Sequence, residues 1–118
     1  MSVSDRGDVL VVDGREVAPL ELADSYGARR HGLLKRDAIE GAFWLVPCRH
    51  VHTLGMRFAI DVALVDRDGV VLHTQTMPPG KLSAVRLACR SVVEAEAGAF
   101  AHWGLAAGSR VEARHRHA

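Results

Sequence analysis

Hydrophobic and polar positions near the start of the chain follow the pattern of two short strands. Apolar runs at 9–12 ("VLVV") and 17–22 ("VAPLEL") flank Asp13-Gly14, a pair that accepts the positive φ angles of a tight turn. The pattern predicts a β-hairpin. Because Pro19 has no N–H group to donate, we expect the second arm to lie at a sheet edge or a bulge.

The next segment, 24–36 ("DSYGARRHGLLKR"), combines an apolar side with a basic side at helical spacing. Asp24 or Ser25 would cap its first turn. Gly27 and Gly32 each cost about 1 kcal/mol relative to alanine inside a helix. We therefore predict a short helix that depends on packing rather than on intrinsic propensity.

The middle of the chain has the clearest strand pattern. Residues 42–47 ("AFWLVP") are typical of a buried strand closed by a proline. Residues 56–77 place two apolar arms around a turn sequence at 66–69 ("DRDG"), which predicts a second hairpin. Residues 78–84 ("PPGKLSA") are typical of a loop.

Strand-like alternation returns after this loop and is most regular at 92–97. Residues 99–105 ("AFAHWGL") predict a short helix with Phe100 and Trp103 on one side. Residues 109–113 ("SRVEA") predict a last short strand.

Taken in order, these elements predict an α+β fold that is mainly β. We expect one compact antiparallel domain, with one short helix in the N-terminal half and one short helix near the C-terminus. The chain has 118 residues, the size of a single domain. The ordered core is expected to span 8–113, with a frayed, charged tail at 114–118.

The composition is that of an ordinary soluble protein, with 48% hydrophobic residues and a formal net charge of +1. No apolar stretch approaches the roughly 20 residues of a membrane helix, and the charged start lacks the apolar core of a secretory signal. These features predict a cytoplasmic location, with no membrane and no nucleic-acid partner. In that compartment Cys48 and Cys89 are expected to be thiols rather than a disulfide.

The densest basic cluster lies in the predicted first helix. It could attract phosphate or a nucleic-acid backbone, or it could be the solvated face of the helix. The near-neutral chain and the absence of interleaved aromatic residues favour the solvated face. The members of the cluster are Arg29, Arg30, His31, Lys35 and Arg36.

The stretch "CRHVHTLGM" places Cys48, His50 and His52 at alternate positions. In an extended segment all three would project from one face, with neighbours roughly 6.5–7 Å apart. They could begin a zinc or copper site, with a fourth ligand from His31, His73 or Cys89. Zinc ligands usually come in pairs around turns, and no second pair is present. The pattern therefore favours a partly buried cysteine and two edge histidines, with no metal and no cofactor.

A second candidate centre is Asp61, which shares a strand face with two alanines. These small neighbours leave room beside the carboxylate, either for a pocket or for a side chain from elsewhere. A polar cluster of Asp61 with His52 or Thr53 would suit ligand binding. The alternative is that Asp61 only accepts backbone N–H groups and holds the 52–56 turn. A nucleophilic Cys48 served by His52 and Asp61 is disfavoured, because residues of one strand rarely meet in the geometry of proton transfer.

Three stretches together resemble one protein family: "RRHGLLKR" (29–36), "HTLGMRFAIDVALVDRDGVV" (52–71) and "VVEAEAGAFAHWGLAAGSRV" (92–111). In this order they are similar to the uncharacterised bacterial and archaeal family called domain of unknown function 192. The resemblance runs from about Leu20 to Val111. Its most specific part consists of His52, Thr53, Gly55, Met56, Ile60 and Asp61, supported by Asp66, Glu94 and Gly98.

The resemblance implies a compact, strand-rich and barrel-like α+β domain with short helices packed on it. His50 does not match the family pattern, because the relevant branch usually has a small residue there, and Ser109 replaces the aspartate common in the final turn. The family has no established biochemical role, so the resemblance implies a fold and a pocket but no reaction. The positions that match its polar motif are Arg36, His52, Thr53, Met56, Asp61 and Glu94, with Cys48 matching a Pro-Cys pair in one branch.

Three functions are compatible with these observations. The favoured one is a binding module whose polar pocket, formed by the motif positions, holds a small molecule or a peptide. The second is a hydrolase in which His52 and Asp61 act as an acid–base pair. The third is an accessory protein that pairs an exposed strand edge with a partner.

Overall fold

The computed structural model describes residues 7–23 and 38–115. Within these ranges the mainly β prediction is confirmed, and every predicted strand is present. The first predicted helix, at 24–36, lies outside the described residues. The elements are β1 (Asp8–Val12), β2 (Arg15–Ala23), β3 (Ala42–Leu45), β4 (Ile60–Val65), β5 (Val71–Met77), β6 (Ser91–Glu96), α1 (Ala99–Trp103) and β7 (Val111–His115).

All seven strands belong to one sheet, in the order β5-β4-β6-β3-β2-β1-β7. Five of the six neighbouring pairs are antiparallel, as predicted. The exception is β2 with β3, which run parallel with Leu20 opposite Ala42. A parallel pair needs a crossover connection of a dozen or more residues, and residues 24–41 provide that length between the two strands.

The sheet is not closed into a barrel, which corrects the barrel-like prediction. Its edge strands, β5 and β7, share no ladder within the described chain, and an isolated bridge joins Val70 to Arg110, the residues that precede the two strands. The segment that leads from α1 to β7 explains this. Gly108 N–H donates to the carbonyl of Val71, and Val71 N–H donates to the carbonyl of Ser109, so this segment occupies the position beside β5 that a closing strand would need.

Both predicted hairpins are present. The first turns at Asp13 and Gly14, with φ angles of 50° and 86°. In the second, Asp66 Oδ1 accepts the N–H groups of Asp68 and Val70 at 2.8 and 2.9 Å. β7 continues to His115, beyond residue 113, where the predicted ordered core ends.

Each face of the sheet carries its own apolar cluster. The inner cluster takes residues from all seven strands, including both edges, so the sheet curls around it. The outer cluster comes from the other faces of the central strands and from the loops that cover them. Side chains alternate along a strand, so Val62 belongs to the outer cluster and Ala63, the next residue, belongs to the inner one.

The helix α1 closes part of the inner face. Phe100 is buried in the inner cluster, and its ring centroid lies 5.9 Å from that of Trp103. Gly98 precedes the helix with φ 94°, and Gly104 ends it with φ 68°; both angles are in the left-handed region that glycine tolerates. Within the described part of the chain, no helix has the length and apolar character to cross a membrane.

The outer face is covered by two loops, residues 48–58 and 78–90, which we call the loop layer. They run antiparallel and are held together by backbone hydrogen bonds: Cys48 N–H donates to Arg90 O, Thr53 N–H donates to Lys81 O, and Ser83 N–H donates to Val51 O. A further bridge joins His52 to Leu82. The predicted loop at 78–84 is therefore an ordered part of the structure.

Candidate functional site

The carboxylate of Asp61 is buried on the inner face of β4 and accepts three hydrogen bonds. Thr76 donates its hydroxyl to Oδ1 at 2.7 Å, and the N–H groups of Gly98 and Phe100 donate to Oδ2 at 3.0 and 3.1 Å. Thr76 is the partner of Asp61 in the β4–β5 ladder, whereas Gly98 and Phe100 open α1. The first N–H groups of a helix lack partners within it, so Asp61 fixes α1 to the sheet.

The room beside Asp61 that the sequence predicted is filled by the start of α1. Asp61 is paired with Ala95 of β6, and Ala95 is paired with Ala42 of β3. These small side chains allow the backbone of residues 98–100 to approach the sheet. The sequence left open a pocket or a side chain from elsewhere; the groups found beside the carboxylate are the backbone N–H groups of Gly98 and Phe100 and the hydroxyl of Thr76. The hydrogen-bond partners of the Asp61 carboxylate belong to α1 and β5 rather than to the 52–56 turn.

Thr53 is completely buried and organises the loop layer. Its Oγ1 donates to Pro78 O at 2.7 Å and accepts the N–H of Lys81 at 2.9 Å, while its carbonyl accepts the N–H groups of Met56 and Gly80. Met56 is buried in the outer cluster. Thr53 thus connects the two loops to each other, and Met56 packs the first loop against the outer face of the sheet.

Cys48, His50 and His52 are not arranged as three ligands on one strand face. Cys48 packs against the outer cluster, and its Sγ donates to the carbonyl of His50 at 3.1 Å. His50 is exposed. The Nδ1 atom of His52 accepts the N–H of Leu54 at 3.3 Å. Among the described residues, no group of three or more His, Cys, Asp or Glu side chains could hold a metal ion.

Glu94 lies on the opposite face of the sheet from Asp61. It is paired with Phe43 of β3 and Val62 of β4, both members of the outer cluster, and it is completely buried. The structure therefore places Cys48, Met56 and Glu94 with the outer cluster, and Asp61 on the inner face. Arg36 lies outside the described residues.

The two cysteines are close but are free thiols. Cys89 is completely buried, and its Sγ donates to Ser91 O at 3.3 Å and lies 3.6 Å from Cys48 O. Burial raises the pKa of the Cys89 thiol above its ordinary value of 9.0, because the apolar surroundings disfavour the thiolate. The expectation of thiols rather than a disulfide agrees with this arrangement.

A cleft of about 670 Å³ opens at the end of the curled sheet where the β4–β5 turn lies. Its walls are apolar, with Leu22, Trp44, Val46 and Pro47 on one side, and Leu22 and Val46 are about half exposed. Its rim is charged. The rim residues are Asp66, Arg67, Asp68, Arg90 and Glu112.

Trp44 is the largest side chain in the wall of this cleft. Its indole nitrogen is buried, and within the described chain it has no hydrogen-bond partner. A buried donor without an acceptor is costly. Sequence reasoning did not find this cleft, because its lining comes from four strands, β2, β3, β6 and β7, and from three connecting segments. The one local signal for the cleft is the stretch 42–47 ("AFWLVP"), in which Trp44 lies close to the end of a strand and is followed by two apolar residues.

The chain is a small, mainly β domain with one curled sheet and, among the described residues, one short helix. A model of the family DUF192, described as an uncharacterised ACR family, matches residues 9–113. The chain belongs to this family, as its resemblance predicted. No curated protein matches it at a significant level.

Two solved structures share the fold. One is a protein of unknown function from Novosphingobium aromaticivorans DSM 12444, with a TM-score of 0.75 and 22% identity over 88% of this chain and 83% of that one. The other, from Sinorhizobium meliloti 1021, is described as a "putative transcription regulator", with a TM-score of 0.74 and 19% identity over 92% of this chain and 95% of that one. At these identities both similarities concern the fold alone.

Proposed function

We propose that this protein is a binding module and that its ligand occupies the cleft beside Trp44. The observation that carries the proposal is the cleft itself, whose volume of about 670 Å³ falls within the range of small-molecule sites in proteins. Its apolar wall and charged rim suit an amphipathic ligand, with an apolar body against Leu22 and Val46.

In our proposal, two polar residues of the family motif, Asp61 and Thr53, contribute to ligand binding indirectly, because they maintain the fold around the cleft. Asp61 holds α1 on the inner face, and Thr53 holds the loop layer on the outer face, so both maintain the curled sheet that forms the cleft. Direct contacts of His52, Thr53 or Asp61 with a ligand stay a prediction from the sequence.

The other two functions receive less support from the geometry. A hydrolase would need His52 and Asp61 to face each other, but the loop layer and α1 lie on opposite faces of the sheet. Strand-edge pairing would use β5 or β7. On β7, Arg114 contacts Glu16 at 3.1 Å and His115 contacts Asp8 at 2.9 Å, and charged side chains along an edge disfavour the addition of another strand.

The cleft can be tested with a probe that has an apolar body and one anionic group, 8-anilinonaphthalene-1-sulfonate. We expect its fluorescence to rise on binding to the wild-type protein. Val46→Arg, which fills the cleft, should weaken binding by about tenfold or more, whereas Ala101→Arg, at an exposed position of α1 outside both the cleft and the loop layer, should leave it unchanged. The same pair of variants is then compared by thermal shift against a panel of amphipathic metabolites. Equal probe binding by wild type and Val46→Arg would contradict the proposal.

A further inference from the structure

The loop layer exposes an unusual set of apolar side chains. Leu54, Leu82, Val85 and Leu87 are 51%, 72%, 62% and 88% exposed. The described chain has only two other large apolar residues with comparable exposure, and both line the cleft. Single exposed leucines are common on protein surfaces, but a group of them marks an interaction site.

The pairing of the two loops brings Leu82 next to Leu54, and Val85 and Leu87 follow Leu82 on the same loop. The backbone of Val51 is bonded to that of Ser83, and the backbone of Thr53 to that of Lys81, while His52 and Leu82 form a bridge between these pairs. In an extended pair, side chains alternate between the two faces. Val51, Thr53 and Ser83 are accordingly buried, which directs Leu82 towards solvent.

The charges of the loop layer have one sign. Its two segments, 48–58 and 78–90, contain five of the fifteen Lys and Arg residues of the chain and none of its fourteen Asp and Glu residues. All five are exposed: Arg49, Arg57, Lys81, Arg86 and Arg90. The rest of the chain is therefore net acidic, although the whole has a formal charge of +1.

Two of these arginines, Arg86 and Arg90, donate to backbone carbonyl groups rather than to carboxylates, so no ion pair within the described residues neutralises their positive charge. Arg86 donates to Val85 O at 3.0 Å, and Arg90 donates to Leu87 O and Cys89 O, both at 2.9 Å. These acceptors are neutral carbonyl groups. They hold each guanidinium beside the exposed leucines, so apolar and cationic groups alternate along the surface.

We propose that the loop layer docks on an anionic lipid surface. Leu82, Val85 and Leu87 enter the boundary between headgroups and acyl chains, and the surrounding basic residues contact lipid phosphates. Two observations favour a membrane over a protein partner: the leucines project from loops instead of lining a groove, and the two loops carry five basic residues and no acidic residue. Peripheral binding of this kind needs an apolar surface with nearby Lys and Arg side chains, and no spanning helix.

The sequence-based expectation of no membrane partner depended on the absence of a spanning segment and on the nearly neutral net charge. Neither observation addresses a surface on which the charges are segregated. That segregation becomes visible only when the two loops, 48–58 and 78–90, are placed side by side.

The test is co-sedimentation of the full chain with vesicles of phosphatidylcholine alone and with vesicles containing 30% phosphatidylglycerol. We expect binding to the anionic vesicles only, with a loss at high salt as exposed charges are screened. Lys81→Glu/Arg86→Glu should reduce the partition coefficient about tenfold or more. Leu82→Ser/Leu87→Ser, which keeps the charge, should also reduce it strongly.

Matched controls lie on the cleft. Arg67→Glu changes an exposed arginine and Leu22→Ser an exposed leucine outside the loop layer, and both variants should bind vesicles like the wild type. Three results would overturn the proposal: no wild-type binding to anionic vesicles, equal losses in the control variants, or self-association that Leu82→Ser/Leu87→Ser abolishes. Binding to soluble poly-glutamate but not to vesicles would also overturn it, in favour of an acidic polypeptide partner.

Discussion

The Oδ2 atom of Asp61 on β4 lies 3.1 Å from the backbone nitrogen of Phe100, 39 residues further along the chain. This contact links the centre of the sheet to the only helix of the described chain. It also explains why an acid stands in a strand whose other residues are apolar. The carboxylate supplies the acceptors that the first turn of a five-residue helix lacks.

Replacement of Asp61 by alanine should therefore destabilise the protein. The buried N–H group of Phe100 and the partly buried N–H group of Gly98 and hydroxyl of Thr76 would lose their acceptor, at a cost of about 3 kcal/mol in the free energy of unfolding. Asp61→Asn keeps one acceptor oxygen and should lose less. Urea unfolding followed by tryptophan fluorescence measures both, with exposed Glu112→Ala as a control expected within about 0.5 kcal/mol of wild type. An Asp61→Ala protein that is as stable as the wild type would show that the hydrogen bonds of Asp61 do not stabilise the fold.

The two hairpins, the regular strand at 92–97 and the helix at Phe100 could be predicted because their signals are local: turn residues between alternating runs, and apolar residues three apart. The small neighbours of Asp61 were predictable for the same reason. Its partners Gly98 and Phe100 were not, since hydrogen bonds across 37 and 39 residues leave no periodic trace in the chain.

The parallel pairing of β2 with β3 and the open edges of the sheet were missed on similar grounds. Alternation specifies which face a side chain occupies but not the direction of the neighbouring strand. The cleft depends on Leu22, Trp44, Asp68 and Glu112, which come from four separate segments. The charge segregation of the loop layer likewise depends on the pairing of Thr53 with Lys81, which only the folded chain displays.

Thr53 provides a second prediction. Thr53→Val has nearly the same volume but loses the hydroxyl that donates to Pro78 O and accepts Lys81 N–H. Leaving these partly buried groups without their partner should cost about 1–3 kcal/mol in the free energy of unfolding and should speed hydrogen exchange at the Lys81 amide. Thr53→Ser keeps the hydroxyl and should retain slow exchange. Thr74→Val, at a partly exposed position of β5, is the control. Unchanged exchange at Lys81 in Thr53→Val would refute the role assigned to this side chain.

A third prediction concerns the place where the sheet edges meet. Gly69 and Gly80 have nearly equal φ angles, 85° and 82°, but a Cβ at Gly69 would lie 2.7 Å from Val111 O, whereas a Cβ at Gly80 would have no atom within 4 Å. Gly80→Ala should cost about 1–2 kcal/mol because of its left-handed backbone. Gly69→Ala should cost about 1–3 kcal/mol more, because the Val111 carbonyl must move. Thermal and urea unfolding measure the difference, and equal losses would mean that the two edges are not held together at Val111.

A fourth prediction concerns the reactivity of the two thiols. Because burial raises the pKa of Cys89 above 9.0, its reactive thiolate is scarce in the folded protein at pH 8. Cys48 is partly exposed, so a disulfide reagent such as dithionitrobenzoate should modify it first and should reach Cys89 only after unfolding. In Cys48→Ser, labelling of the native protein should be slow, and in Cys89→Ser it should remain fast.

The same pKa shift predicts how stability depends on pH. Above pH 9.0 the unfolded chain releases the Cys89 proton while the folded chain still retains it, so the free energy of unfolding should fall as the pH rises through this range. Cys89→Ala should remove this component of the alkaline decline, and Cys48→Ser should preserve it. Urea unfolding at pH 8, 9 and 10 measures the slope. Equal slopes in wild type and Cys89→Ala, or equally fast labelling of both thiols in the native protein, would show that Cys89 is not sequestered in the outer cluster.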